Sequence, residues 1–314
     1  MIAFATDYNG ESRDVREIEK TLAELAEAGF SHVHWCHEWG TDDLYTTAEM
    51  LQIRSWVRKY GLGVKGIHGS EGLYEGDPTK FRRRCEHQNR RSYSSQNEFN
   101  RLAGVELIEN RVRMASVLDT HEVILHMQLP YEMFEEDEAF RTRYFDQVCR
   151  SFDQLESVCV AHDVRLCLEN CLGTPAKHQL YEFDLMFSRY SKDFLGFCFD
   201  TGHANICCGD DPLLFARRYQ DRLIFTHLCD NHGLQSPDCW VEGRKMERCD
   251  EHLLPFEALF DWDGYAKILA GSPIEAPLVI EPAFKGGDKV DYLRHAIETG
   301  ETFTAMVEKY RTER

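Results

Sequence analysis

GFCFDTGHAN, residues 196–205, sets an apolar run (Phe197, Cys198, Phe199) against an ionisable ending, Asp200 with His203 shortly behind it. A short apolar run bounded by turn-forming residues reads as a strand buried on both faces. One such strand ending in Asp is ordinary, because an Asp at that place often caps the following helix. The reading that decides the fold is whether other strands end in the same way.

They do. Short apolar runs occur at 2–6 (IAFAT), 31–36 (SHVHWC), 63–68 (GVKGIH), 121–126 (HEVILH), 164–169 (VRLCLE), 195–200 (LGFCFD), 222–227 (RLIFTH) and 277–281 (PLVIE). Between them lie stretches with apolar residues at helical spacing, such as DVREIEKTLAELAEAGF, GVELIENRVRMASVLDT and FDQVCRSFDQLESVCVAHD. Strands alternating with helices, with no Pro/Ser-rich linker between them, predict one α/β domain over 1–314, a (β/α)8 TIM barrel with extended loops at its C-terminal face. A doubly wound sheet is the competitor, but no GxGxxG follows the first strand.

The bulk composition narrows the partners. Hydrophobic residues make up 43% and charged residues 29% of the 314, as in a folded, water-soluble domain. A formal net charge of -18 repels phosphate backbones and argues against nucleic acid as a partner. No apolar run is long enough to span a bilayer, which requires roughly 18 residues. The 12 cysteines are scattered without a CxxC, and the N-terminus lacks a basic segment followed by an apolar one, so a reducing, cytoplasmic setting is expected.

Two segments are long for plain connections. Residues 70–97 are polar and locally basic (Arg82, Arg83, Arg84, Arg90, Arg91), and residues 228–256 carry few strand or helix signals. Both follow strands, on the face where barrels keep their sites. The arginine run reads as a solvated face, a contact in a homo-oligomer or a phosphate-tracking surface.

The strand endings form a constellation: His68, His126, Glu169, Asp200 with His203, His227 and Glu281, joined by Asp250 and His252 from the loop after the seventh strand. In a barrel these side chains converge on one mouth. Crowded carboxylates repel one another and lose solvation unless a cation neutralises them, so a divalent metal is the expected cofactor. Glu169, Asp200, His227 and Glu281 form an oxygen-rich set suited to Mn2+, Mg2+ or Co2+. Adding His68, His126, His203, Asp250 and His252 makes a nitrogen-richer site able to hold Zn2+ and more than one ion.

The segments LENC (Glu169), FDTGHAN (Asp200, His203), THLCDNHG (His227), DEHLLP (Asp250, His252) and VIEPAF (Glu281) together resemble the xylose isomerase-like TIM-barrel superfamily. That superfamily includes sugar isomerases and epimerases, inosose dehydratases and the endonuclease IV group. The resemblance implies that Glu169, Asp200, His227 and Glu281 match the metal site of ketose epimerases and isomerases. It also implies that the wider set is similar to the three-zinc site of endonuclease IV. Where the sugar-isomerase-like pattern has glycines after DEHLLP, this chain reads FEALFDWDG, so the loop around Phe256 is expected to be shaped differently.

The function that follows from the resemblance is metal-dependent isomerisation or epimerisation of a carbohydrate or its phosphate. Glu169 and Glu281 would exchange the proton next to a carbonyl through an enediolate. His68, His126, His203 and Trp240 are the candidate substrate contacts, with Trp35 and Trp262 assigned to the core. Phosphodiester cleavage at abasic DNA and dehydration of a cyclic polyol are the alternatives.

Overall fold

The structure, a computed structural model, describes residues 1–12, 14–37, 43–70, 72, 91–235 and 249–314. Its strands are β1 (Ile2–Ala5), β2 (His32–Trp35), β3 (Gly63–Ser70), β4 (Glu122–Leu125), β5 (Arg165–Glu169), β6 (Leu195–Asp200), β7 (Leu223–His227) and β8 (Leu278–Ile280). Among the described residues the α-helices are α1 (Ile18–Ala28), α2 (Thr47–Lys59), α3 (Glu98–Leu118), α4 (Tyr131–Glu136), α5 (Glu138–His162), α6 (Ala176–Arg189), α7 (Thr201–Cys207), α8 (Leu214–Arg218), α9 (Trp262–Leu269) and α10 (Lys289–Thr312).

All neighbouring strands run parallel, in the order β7-β6-β5-β4-β3-β2-β1-β8. The ends of that list meet just beyond β7. Leu228 pairs in parallel with Ile280, its N–H donating to the Val279 carbonyl at 3.0 Å and its own carbonyl accepting from the Glu281 N–H at 3.0 Å. This cyclic order is a (β/α)8 barrel and excludes the doubly wound alternative.

The helix boundaries follow local chemistry. Thr46 and Glu49 form a capping box at the start of α2, and Asn97 and Asp137 cap α3 and α5 through their carboxamide and carboxylate oxygens. Asp119 and Asp163 end α3 and α5 in the left-handed conformation (φ 59° and 54°), a backbone state Asp tolerates better than most residues.

Each strand buries two faces. In β6, Phe197 and Phe199 point outward, with Phe183 of α6 and Tyr265 of α9 at ring distances of 5.2 and 4.9 Å. Burial of each such ring stabilises the fold by roughly 1.5–3 kcal/mol. Cys198 and Asp200 alternate to the inside. There Cys198 joins Ala3, Ile124, Cys167, Phe225 and Val279 in a second, smaller core that fills the barrel. Two residues further along five of these strands stand His126, Glu169, Asp200, His227 and Glu281, so the period-2 alternation that fills the barrel also delivers its ionisable rim.

The strand ends differ from the sequence reading by one or two residues. β4 and β8 stop at Leu125 and Ile280, leaving His126 and Glu281 as the first residues beyond them, while β3 continues to Ser70 so that His68 lies inside it. The extension is held by the His126 N–H donating to the Ser70 carbonyl at 3.0 Å. Nine described cysteines carry free thiols, and Cys249 is disulfide-bonded, against the expectation of a wholly reduced set. No described helix is long and apolar enough to cross a membrane.

Candidate metal centre

Side chains from β5, β7 and the residue just after β8 meet at one point, with two imidazoles from the β3 and β4 side beside them. Glu169 Oε2 lies 3.1 Å from His227 Nδ1 and 3.1 Å from His126 Nε2, with His68 Nε2 at 3.7 Å. Glu281 Oε2 is 3.2 Å from the same His227 Nδ1. Asp200 uses one oxygen, Oδ1, to cap α7 by accepting the His203 N–H at 2.6 Å, and its other oxygen has no hydrogen-bond partner. The motif at 196–205 is therefore a helix cap that also leaves one carboxylate oxygen free of hydrogen bonds. Gly202 allows the first turn of α7 to lie this close, because a Cβ there would sit 2.6 Å from Cys229 Sγ.

A second group lies beside the first. His203 Nε2 and His252 Nε2 both face Asp250 Oδ2, at 3.6 and 2.8 Å. Their other ring nitrogens are tied to main-chain carbonyls, His203 Nδ1 donating to Asn170 O at 2.9 Å and His252 Nδ1 to Glu281 O at 2.8 Å. A carbonyl only accepts, so each Nδ1 carries a proton and each Nε2 turns toward Asp250.

Three residues that the sequence reading missed build this rim. Asn170 clamps β5 to β6 by accepting the Asp200 N–H at 2.9 Å and donating to the Asp200 carbonyl at 2.8 Å. Asp230, fully buried, accepts from the N–H groups of Ala258 (3.0 Å) and Phe260 (3.2 Å) and from Trp262 Nε1 (2.9 Å). Its main chain forms an antiparallel pair with Leu253, one residue after His252. The unusual FEALFDWDG stretch thus wraps around the Asp230 carboxylate, while the Asp230 main chain pairs with Leu253 beside the Asp250–His252 segment. The third residue, His34 of β2, lies beneath the rim with its Nε2 3.1 Å from His227 Nε2. A signal for it was present, since Val33 and Trp35 are outward core residues and His34 is the inward position between them. Trp240, with Trp39, Arg244, Lys245 and Arg82–Arg90, lies outside the described residues. Trp35 and Trp262 are core residues, as expected.

Electrostatics separate the groups. Burial raises Glu281 to about 8. Burial opposes the charge on Glu169 too, but His126 and His227 outweigh it and hold that carboxyl well below the usual range. His227 is raised to about 9 because Glu169 and Glu281 overcome the cost of burying its charge. His203 and His252 are also raised against burial, chiefly by Asp200 and Asp250 respectively, and Asp250 is lowered against burial mainly by His252 and His203. Both oxygens of Glu169, Asp200 Oδ2, His227 Nδ1 and Asp250 Oδ1 are buried without a hydrogen bond. Buried ionisable groups held by ion pairs without well-aligned hydrogen bonds are costly, and a divalent cation suits the ligand types and density found here. His68, His126 and Glu169 form one candidate ligand group, and Cys229, Asp250 and His252 another.

A closed parallel barrel with carboxylates and imidazoles gathered at the strand ends defines a class, the TIM-barrel proteins with a rim site fit for divalent metal. Within that class the chain belongs to the xylose isomerase-like TIM-barrel family, whose model matches residues 22–301. An uncharacterized protein of Sinorhizobium fredii, y4fM, is 32% identical over 270 residues, covering 84% of this chain and 80% of that protein. An inosose dehydratase of Lactiplantibacillus plantarum is 21% identical over 111 residues, 35% of this chain and 36% of its own. Among solved structures, a D-tagatose 3-epimerase-like protein superimposes with a TM-score of 0.66 at 18% identity, covering 98% of this chain and 99% of the other. A 3-keto-D-glucoside 4-epimerase of E. coli gives 0.65 at 13% identity, covering 96% and 100%.

Proposed function

We propose that the chain is a divalent-metal-dependent sugar or sugar-phosphate isomerase or epimerase that moves a proton next to a carbonyl. One observation carries this reading. Glu169 and Glu281 come from strands separated by two others around the ring, yet both present a carboxylate oxygen to the same atom, at 3.1 and 3.2 Å. Two carboxylates placed around one centre are what is needed to take a proton from one side of a carbon and return one from another.

Glu169, Asp200, His227 and Glu281 would hold the ion, which when bound supplies positive charge to stabilise negative charge developing on a substrate oxygen. The chain's own groups are already divided for the proton's path in the ion-free protein, with Glu169 ionised and Glu281 raised toward neutrality. His203 is held by the Asn170 carbonyl and orients a hydroxyl of the substrate. His68 and His126 turn toward Glu169 and keep it aligned. The epimerase neighbours in structure support the same class of substrate.

A second reading, metal-assisted phosphodiester hydrolysis, is favoured by the two further candidate ligand groups, His68–His126–Glu169 and Cys229–Asp250–His252, the latter with His203 3.6 Å from Asp250. The net charge of -18 opposes it. The test is to load the protein with Mn2+, Co2+, Mg2+ or Zn2+ and offer ketoses, ketose phosphates, a keto-inositol and an abasic-site oligonucleotide in deuterated water. Incorporation of deuterium into a sugar carbon is expected. Strand cleavage without exchange would replace the proposal with the hydrolytic reading, and loss of water from the keto-inositol would replace it with dehydration.

A further inference from the structure

His34 is fully buried inside the barrel, one level below the ionisable rim. Its Nδ1 lies 3.0 Å from the Lys65 carbonyl oxygen and 3.1 Å from that of Gly66. Successive carbonyls of an extended strand point to opposite sides, so two in a row cannot normally reach one nitrogen. Here β3 carries a bulge. Val33 pairs with Val64 and Trp35 with Ile67, so two residues, Lys65 and Gly66, stand opposite His34 alone. Gly66 has φ +69°, a left-handed state open to glycine, and a Cβ there would lie 2.5 Å from the Phe225 ring.

Both neighbours of Nδ1 are acceptors, so Nδ1 carries the proton. A carboxylate oxygen of Glu281 stands within 4.8 Å of a ring nitrogen, but among the described residues His34 forms no ion pair, and both hydrogen-bond partners of its ring that could fix a proton, the two carbonyls, face Nδ1. The other nitrogen, Nε2, is then a bare acceptor, and its partner at 3.1 Å is His227 Nε2. The proton between the two rings must belong to His227. That leaves His227 Nδ1 as the atom aimed at Glu169 and Glu281.

We propose that His34, locked by the Gly66 bulge, is a positioning residue that holds His227 with its proton on Nε2 and so presents Nδ1 as the metal ligand. This rests on the metal site proposed above. In this role His34 acts on the ion only through His227. It acts as the outer partner that a ligating imidazole requires, with a neutral imidazole in the place more often filled by a carboxylate or carbonyl.

The test uses the full chain with Mn2+ and Zn2+ as probes. Titration against a competing chelator should show His34→Phe, which keeps a ring but removes both hydrogen bonds, binding Mn2+ about 10- to 100-fold more weakly than the unaltered protein. His34→Gln retains a donor for the carbonyls and an acceptor for His227, and should recover most of that affinity. The 15N spectrum of histidine-labelled, Zn2+-loaded protein needs no variant. It should show His34 neutral with its proton on Nδ1, and His227 with a protonated Nε2 and a metal-shifted Nδ1. A His34 ring protonated on Nε2, or unchanged affinity in His34→Phe, would overturn the role of His34 alone. Failure of the unaltered protein to bind any divalent ion would instead overturn the metal site and this inference with it.

Discussion

The two halves of the rim solve one problem in different ways. In the outer group, His203 and His252 are oriented by main-chain carbonyls, those of Asn170 and Glu281. In the central group, His227 is oriented by another side chain, His34. A carbonyl orienter is built into the backbone and survives any point substitution at its own residue, whereas a side-chain orienter is removed by one. Glu169 is shared by His68, His126 and, through Oε1 at 3.4 Å, His203, so these residues do not act independently and the separable part of the outer group is Asp250 with His252. The comparison predicts that substitutions at the centre should be coupled and severe, and those in the outer group more nearly separable.

The strongest way to break this comparison is Glu169→Gln. It removes the charge common to every central partner, and proton exchange into substrate should fall by roughly 1000-fold or more together with metal content. Retention of both, by isotope exchange and elemental analysis, would mean that Glu169 is not the centre. Asp250→Asn should have a smaller effect, lowering turnover by about 10- to 100-fold while the central ion remains bound. An equal loss of ion from both groups would show that they form one unit.

Proton competition sharpens the same contrast. In the ion-free protein His227 is raised to about 9, so binding an ion through Nδ1 must displace a proton at neutral pH. Affinity for Mn2+ should therefore climb as pH rises from 6 toward 9, with proton release detectable by calorimetry in buffers of different ionisation enthalpy. A flat profile would place the ion elsewhere. Smaller again is Asp230→Ala, which strands several buried donors in the 258–262 stretch and should cost about 2–3 kcal/mol in denaturant unfolding. The main-chain pairing of residue 230 with Leu253 is kept in this variant, so metal content should change less than stability.

Most of the barrel was legible from the chain because strands buried on both faces must be apolar, and each ended within a few residues of its reading. Glu169, Asp200, His203, His227, Glu281, Asp250 and His252 were legible for a related reason. A charged or imidazole group closing an apolar run is conspicuous, and the cyclic order then forces such groups together. His34 escaped because it stands within a strand, between Val33 and Trp35, where attention to the final position passes over it. Asp230 escaped because an Asp in a polar loop looks solvated, although its carboxylate is buried.

What the amino-acid order determined by itself was the alternation: which residues point inward, where strands stop, and which chemistry arrives at the rim. Only the tertiary structure decided how those groups share protons. The bulge at Lys65 and Gly66, the pairing of His34 with His227 and the wrapping of residues 258–262 around Asp230 join segments far apart in the chain. Hydrogen bonds are directional and depend on distances of about 3 Å. Residue type and spacing alone carry no such distances, which arise only when the ring of strands closes.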